Sequence, residues 1–243
     1  MTVATPPRAY FRQLLAGRDF ARADRVAGQM VNFTYLIGDR ESGECVVVDP
    51  AYAVDELVRL AAQDGLRITG ALATHYHPDH VGGDLFGNDV QGIARLLELV
   101  SVPIHCQRAE APWIMRMTGV GASELALHDS GDELVVGASR IRLIHTPGHT
   151  PGSQCFLVDD KLVAGDTLFL SGCGRTDLPG GDARELYLSL TQRLAAVPDT
   201  AVLFPGHLYD PLPSAPLGDV RRSNPMYRFR NLDEWLEQTG AAY

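Results

Sequence analysis

The sequence predicts a mixed α/β fold. Apolar, β-branched segments of strand length dominate two stretches of the chain, and segments with apolar residues at helical spacing lie between them. The chain has 243 residues and no polar linker, so we expect a single domain over residues 1–243. Hydrophobic residues make up 45% and charged residues 21%, which is the balance of a chain that buries its own core.

The first stretch reads as strands joined by helices. The pattern predicts, in order, strands 30–37 and 44–48, helix 53–64, strand 68–75, helix 91–100 and strand 102–105. The strands are rich in β-branched residues, and Gly65 is a typical stop for the first helix. Strand 68–75 runs directly into a loop of His, Asp and Gly, so this loop begins where a buried strand ends.

The second stretch repeats this character. It predicts a hairpin of 133–136 and 139–145, strands 153–158 and 161–164, helix 182–195, strand 201–204 and a terminal helix 231–238. Asp182 stands at the start of its helix, where an aspartate side chain can accept backbone hydrogen bonds. Polar loops again follow the apolar strands, so both stretches place polar side chains at strand ends.

Charge and composition exclude several classes of partner. Lys plus Arg number 21 and Asp plus Glu 30, so the net charge is −9, and we expect neither nucleic acid nor an anionic membrane surface as partner. No run of 18 apolar residues predicts a membrane span, and the N-terminus does not resemble a secretory signal. The four cysteines share no paired spacing and predict reduced thiols in a cytoplasmic protein. A homo-oligomer is left open.

Histidines and aspartates concentrate in four loops that follow apolar strands. THYHPDH contributes His75, His77, Asp79 and His80, TPGHTPG contributes His149, AGDTLF contributes Asp166, and FPGH contributes His207. Each strand end can deliver its ligand to one rim of a sheet.

These residue types suit a transition metal. Residues i and i+2 of an extended chain point the same way, so His75 and His77 can share one cation. Imidazole and carboxylate favour zinc, iron or manganese over calcium or magnesium. A carboxylate such as Asp166 can hold two cations together. We therefore expect a metal centre, with two divalent ions as the leading interpretation.

The ordered motifs resemble the metallo-β-lactamase superfamily over roughly residues 30–207. The resemblance implies a four-layer αββα sandwich with the metal site at one edge. It implies that His75, His77 and His149 hold a first metal, that Asp79, His80 and His207 hold a second, and that Asp166 bridges them. Two zinc ions are expected, with one iron(II) as the alternative.

The loop SGCGRTDLPGGD at 171–182 is similar to glyoxalase II and to persulfide dioxygenases. The leading expectation is a hydrolase that cleaves a thioester of a small thiol with a metal-bound hydroxide. The alternative is an iron(II) persulfide dioxygenase that uses His75, His149 and Asp166. A third reading, a non-catalytic metal-binding protein, is disfavoured by the full ligand set. The chain after His207 is short for the glutathione-binding domain of glyoxalase II, which argues against glutathione as the carrier.

Four further assignments concern the surroundings of the metals. Asp79 is expected to orient the hydroxide and take its proton. Arg175 is expected to bind a carboxylate of a small thiol-linked substrate, or else to pair with Asp177. Asp49 accepts a hydrogen bond from a ligand imidazole or merely ends its strand. The cluster of arginines at 221–230 is either a second anion site or a solvated segment.

Overall fold

The computed structural model describes residues 8–240. Its strands are β1 (Ala9–Leu15), β2 (Phe33–Asp39), β3 (Glu44–Val48), β4 (Arg67–Leu72), β5 (Gly83–Leu85), β6 (Asn88–Val90), β7 (Ile104–Gln107), β8 (Leu125–His128), β9 (Glu133–Val136), β10 (Ser139–His145), β11 (Gln154–Val158), β12 (Lys161–Gly165), β13 (Val202–Pro205) and β14 (Ala215–Pro216). The helices are α1 (Arg25–Met30), α2 (Val54–Gln63), α3 (Pro78–Val81), α4 (Ile93–Leu99), α5 (Ala111–Thr118), α6 (Ala183–Leu188), α7 (Leu217–Ser223) and α8 (Leu232–Trp235).

Two six-stranded sheets face each other. The first has the order β1-β2-β3-β4-β7-β8 and the second has the order β14-β13-β12-β11-β10-β9, while β5 and β6 form a separate hairpin. Apolar side chains from both sheets, among them Phe33, Ile37, Leu143 and Phe156, form one buried cluster between them. The sheets thus make the two inner layers of a sandwich.

Helices cover the outer face of each sheet. Residues of α1, α2, α4 and α5 pack with the first sheet in one buried cluster, and residues of α6, α7 and α8 pack with the second sheet in another. The layers are therefore helix, sheet, sheet, helix. This arrangement confirms the expected αββα sandwich.

Strand direction brings the polar loops to one rim. Strand β10 is antiparallel to β11, β11 is antiparallel to β12, and β12 is parallel to β13, so the carboxyl ends of β10, β12 and β13 lie on the same side. Strand β4 of the first sheet ends at the same rim, because its loop meets theirs in the metal centre described below.

One predicted helix changes its type part-way along. The helix predicted over 182–195 begins as expected, with the Asp182 side chain accepting from the Glu185 amide at 3.0 Å. It is α-helical only to Leu188 and continues as a π-helical turn, Ser189–Arg193. Buried Ser189 donates to the carbonyl of Pro147 at 2.6 Å, which ties this turn to the loop before His149.

No helix within residues 8–240 is both long enough and apolar enough to cross a bilayer. The first seven residues, on which part of the signal-sequence expectation rests, lie outside the described residues.

Candidate metal centre

The four loops meet in a single buried cluster. Nitrogens of His75, His77 and His149 lie within 4.8 Å of one another, and so do the ligand atoms of Asp79, His80 and His207. Asp166 lies between the two groups: its Oδ2 is 3.3 Å from His207 Nε2 and 3.8 Å from His149 Nε2. The structure therefore brings together all seven residues that the sequence assigns to metals. Their individual roles as ligands stay predictions.

Two of the first-group histidines are oriented by bonds on their outer nitrogens. Thr74 Oγ1 donates its one hydrogen to Asp49 Oδ2 at 2.6 Å, so His75 Nδ1, at 2.9 Å, must donate to Thr74. His149 Nδ1 donates to the Arg175 carbonyl at 2.7 Å. Both rings thus turn the lone pair of Nε2 inwards, which is the tautomer that a metal ligand needs.

The second group is oriented in the same way. His80 Nδ1 donates to Asp49 Oδ2 at 2.8 Å, and His207 Nδ1 donates to the Met30 carbonyl at 2.7 Å. Their Nε2 atoms face each other at 3.1 Å, a distance suited to a shared proton or a common cation. Asp49 thus accepts from the imidazole of His80, as expected, and through Thr74 it also fixes the ring of His75.

Three buried atoms in the cluster lack a hydrogen-bond partner among the described residues: His75 Nε2, His77 Nε2 and Asp166 Oδ1. Leaving a buried polar atom unpaired costs about 1–3 kcal/mol. All three atoms belong to the cluster, where a cation would supply their missing partner. The donor set of imidazole and carboxylate also matches a transition metal.

Charges inside the cluster oppose one another. Burial and the neighbouring imidazoles lower the pKa of His77 to about 3, which keeps this ring neutral and able to bind a cation. Burial also acts to lower the pKa of His80, but the carboxylates of Asp79, Asp166 and Asp49 outweigh it and raise that pKa to about 10. The carboxylates therefore make the cluster attractive to positive charge.

The sequence model of the metallo-beta-lactamase superfamily matches residues 27–207, which include every residue of the cluster. The chain belongs to this superfamily. It is an enzyme of the superfamily, and the His/Asp cluster is its metal-binding site.

Several relatives resemble the chain over most of its length. Human persulfide dioxygenase ETHE1 is 35% identical over 196 residues, which span 79% of this chain and 70% of that protein. The crystal structure of ETHE1 from Myxococcus xanthus matches with a TM-score of 0.77 and 28% identity, covering 96% of this chain and 90% of that one. The hydroxyacylglutathione hydrolase of Aeromonas hydrophila is 36% identical over 180 residues, or 73% of this chain and 61% of that protein.

These findings correct the leading functional expectation. Thioester hydrolysis is wrong as the first reading, because persulfide dioxygenases from human, cattle and mouse match the chain at 34–35% identity, and an ETHE1 structure covers nearly all of it. The expected thioesterase activity is part of this correction, whereas the expected pair of zinc ions stays a prediction, because these similarities do not identify the metal. The role expected of Asp79, orienting a hydroxide, belongs to that hydrolysis and stays a prediction.

The structure places Arg175 in an ion pair. Its Nε and Nη2 atoms both donate to the carboxylate of Asp177, so the loop-holding alternative describes what this side chain contacts. Its contact with a substrate stays a prediction. The arginines at 221–230 do not line the cavity at the metal centre, so the structure gives them no place as a second anion site there.

The sequence analysis did not identify two residues that contact the metal centre or its loops. Asn32 donates to Asp79 Oδ2 at 3.0 Å and accepts from the Tyr52 hydroxyl at 2.9 Å. Glu110 is completely buried and accepts from the amides of Tyr76 and Gly152 at 2.7 and 2.6 Å. Asn32 lies in the apolar segment predicted as a strand and Glu110 in a short polar segment, and only the folded chain brings their partners to them.

Proposed function

We propose that this chain is an iron(II)-dependent persulfide dioxygenase. The observation that carries the proposal is the similarity to persulfide dioxygenases at 35% identity over 79% of the chain, together with the structural match to ETHE1. The Gly-Cys-Gly-Arg-Thr-Asp sequence at 172–177 supports the same choice.

The proposed iron ligands are His75, His149 and Asp166. Two imidazoles and one carboxylate leave open positions for two reactants, as is typical of non-haem iron(II) oxygenases. The unpaired Nε2 of His75 and Oδ1 of Asp166 fit this role, and His149 presents its Nε2 to the same space. When bound, iron(II) supplies the redox-active centre at which dioxygen and the persulfide sulfur react.

The overall reaction balances as R–S–S–H + O₂ + H₂O → R–S–H + SO₃²⁻ + 2 H⁺. The S–S bond breaks, the two sulfurs together lose four electrons, and dioxygen takes them up. The residues of this chain hold the ligands in place and remove water from around them: Asp49 and Thr74 fix the His75 ring, and Phe169 and Tyr209 pack beside His207.

The second group of side chains forms a hydrogen-bonded network in this proposal. Asp79 lies 3.4 Å from both His80 Nε2 and His207 Nε2 and also accepts from Asn32. The Nε2 atoms of His80 and His207 lie 3.1 Å apart, so a single shared proton can satisfy both of them without a second cation. One iron per chain is therefore sufficient for the proposed reaction.

Metal analysis and oxygen uptake test the proposal together. Protein purified without added metal, then loaded with iron(II), is given glutathione, cysteine and benzyl hydropersulfides in turn. We expect about one iron per chain, and equal amounts of oxygen consumed and sulfite formed with at least one of them. Asp166→Ala should lose both iron and activity, whereas Asp160→Ala, an exposed aspartate outside the centre, should keep both. Two zinc ions with no oxygen uptake would overturn the proposal.

A further inference from the structure

A large cavity opens onto the metal centre and determines what can reach it. Its volume is about 720 Å³. Beyond the metal ligands, most of its lining is apolar: Met30, Leu85, Phe86, Met117, Phe169 and Leu178. A substrate that reaches the metal must lie against these side chains.

The charge of the lining does not favour an anion. The charged lining residues among those described are Asp79, Asp84, Asp166 and Arg175. Arg175 already pairs with Asp177, so a substrate carboxylate would meet a neutralised pair rather than a single positive charge. A cation at the metal centre is offset by the aspartates that surround it.

Phe86 is the strongest sign of an apolar ligand. Its side chain is 90% exposed at the tip of the β5–β6 hairpin, on the rim of the cavity. Its backbone is left-handed, with φ of 53°, which a bulky residue rarely adopts. Because Phe86 shares the cavity lining with Met117 and Leu178, an apolar group bound there would remove apolar surface of all three from water.

Building on the proposed dioxygenase activity, we propose that the substrate is a hydropersulfide R–S–S–H whose R group is uncharged and apolar, such as an alkyl or aryl group. The R group lies between Phe86, Met117 and Leu178, while the outer sulfur points to the metal ligands. A peptide thiol with two carboxylates would fit this lining less well. Arg175 then holds the loop through Asp177 instead of binding substrate.

Two substrates of opposite character test the proposal. The iron-loaded chain is given benzyl hydropersulfide or glutathione hydropersulfide, and oxygen uptake gives kcat/KM for each. We expect the benzyl compound to be favoured at least tenfold. Binding is measured separately under argon with two unreactive thioethers, benzyl methyl sulfide and S-methylglutathione, and calorimetry should show at least tenfold tighter binding of the first.

Charge-introducing variants locate the preference. Met117→Lys places a cation in the lining and should shift the kcat/KM ratio about tenfold towards glutathione hydropersulfide. Phe86→Lys, at an exposed position where folding is not at risk, should shift it in the same direction. Val135→Lys is the matched control, because Val135 is exposed and apolar but does not line the cavity, and its ratio should equal that of the wild type.

The outcomes separate this inference from the proposed function. Oxygen uptake that is equal or faster with glutathione hydropersulfide would overturn the apolar substrate and leave the dioxygenase intact. A ratio unchanged in both lysine variants would also overturn it. Failure of the glutathione, cysteine and benzyl hydropersulfides alike to drive oxygen uptake would overturn the proposed function, and with it the inference.

Discussion

Each histidine of the cluster contributes through the position of a single nitrogen. His149 turns Nε2 towards the proposed iron position because its Nδ1 is fixed by the Arg175 carbonyl. His207 is fixed by the Met30 carbonyl and turns its Nε2 towards His80 and Asp166. The two residues have the same chemistry but belong to different halves of the centre.

This difference predicts unequal effects of two alanine variants. His149→Ala removes a proposed iron ligand and should abolish iron binding and oxygen uptake. His207→Ala removes only a hydrogen-bond partner of Asp166, a change that typically costs about 10–100-fold in affinity or activity. It should therefore retain iron at saturating concentrations and measurable turnover. Iron content and oxygen-uptake kinetics check both, with His128→Ala as control, and equal losses in the two variants would contradict the one-iron centre.

A second prediction at this scale concerns His105, which lies away from the cluster. Burial, and then the neighbouring His128 ring at 2.9 Å, lower its pKa to about 4. The unfolded chain binds this proton near pH 6.5. The histidine therefore contributes stability that is present above pH 6.5 and is lost as the pH falls towards 4.

At pH 5 the loss amounts to about 2 kcal/mol. We expect the free energy of unfolding, measured with urea, to be lower at pH 5 than at pH 7.5. This fall should be about 2 kcal/mol smaller in His105→Gln than in the wild type. The comparison uses the change with pH in each protein, so the cost of the substitution itself cancels. Equal falls in both proteins would show that His105 titrates normally in the folded chain.

Among the elements, the start of α5 holds two ligand loops together. Glu110 accepts from the Tyr76 amide, between the first two histidines of the motif, and from the Gly152 amide, beyond His149. It also accepts from the Thr150 hydroxyl at 2.8 Å. Burial, opposed by these hydrogen bonds, raises the pKa of its carboxyl to about 7.

Glu110→Ala should leave these buried donors unpaired and destabilise the fold by about 3 kcal/mol or more, because each unpaired group costs about 1–3 kcal/mol. Glu110→Gln keeps one oxygen acceptor but turns an amide donor towards one of the loops, so its loss should be intermediate. Competition with a chelator should show that metal binding is weakest in Glu110→Ala, intermediate in Glu110→Gln and strongest in the wild type. The control is Glu98→Gln, which changes an exposed glutamate in α4. Unchanged metal affinity in Glu110→Ala would show that the start of α5 does not support the metal centre.

The elements also show what the sequence could predict. Buried strands such as β3 and β12 contain continuous apolar runs, and β4 ends in one, so their positions and the loops that follow them were predictable, and with them the metal cluster. Strand β1 was missed because it is an edge strand that interrupts its apolar pattern with Arg12 and Gln13.

Helix α5 was missed for a different reason. It is short, has proline as its second residue and takes its stability from tertiary contacts, such as the stacking of Trp113 on Tyr76 with ring centres 5.0 Å apart. Glu110 could not be recognised for the same reason, since an isolated glutamate beside a turn normally faces solvent. Its role depends on loops that approach it only in the fold.

In the whole molecule, the metal centre joins the two sheets. His75, His77, Asp79 and His80 follow β4 of the first sheet, whereas His149, Asp166 and His207 follow β10, β12 and β13 of the second. A bound cation therefore links loops from both halves of the sandwich. The apolar cluster between the sheets links the same halves.

Metal removal should consequently weaken the molecule as one unit. A ligand at 1,000 times its dissociation constant stabilises the folded state by about 4 kcal/mol, and about 1 kcal/mol changes Tm by roughly 2–4 °C in a domain of this size. We expect calorimetry to show one unfolding transition in both forms, with Tm about 10 °C lower after chelation. Asp166→Ala should unfold at the same temperature with and without chelator. Chelation could instead produce a second unfolding transition with its own Tm. The two halves would then unfold independently, and the expected single domain would be wrong.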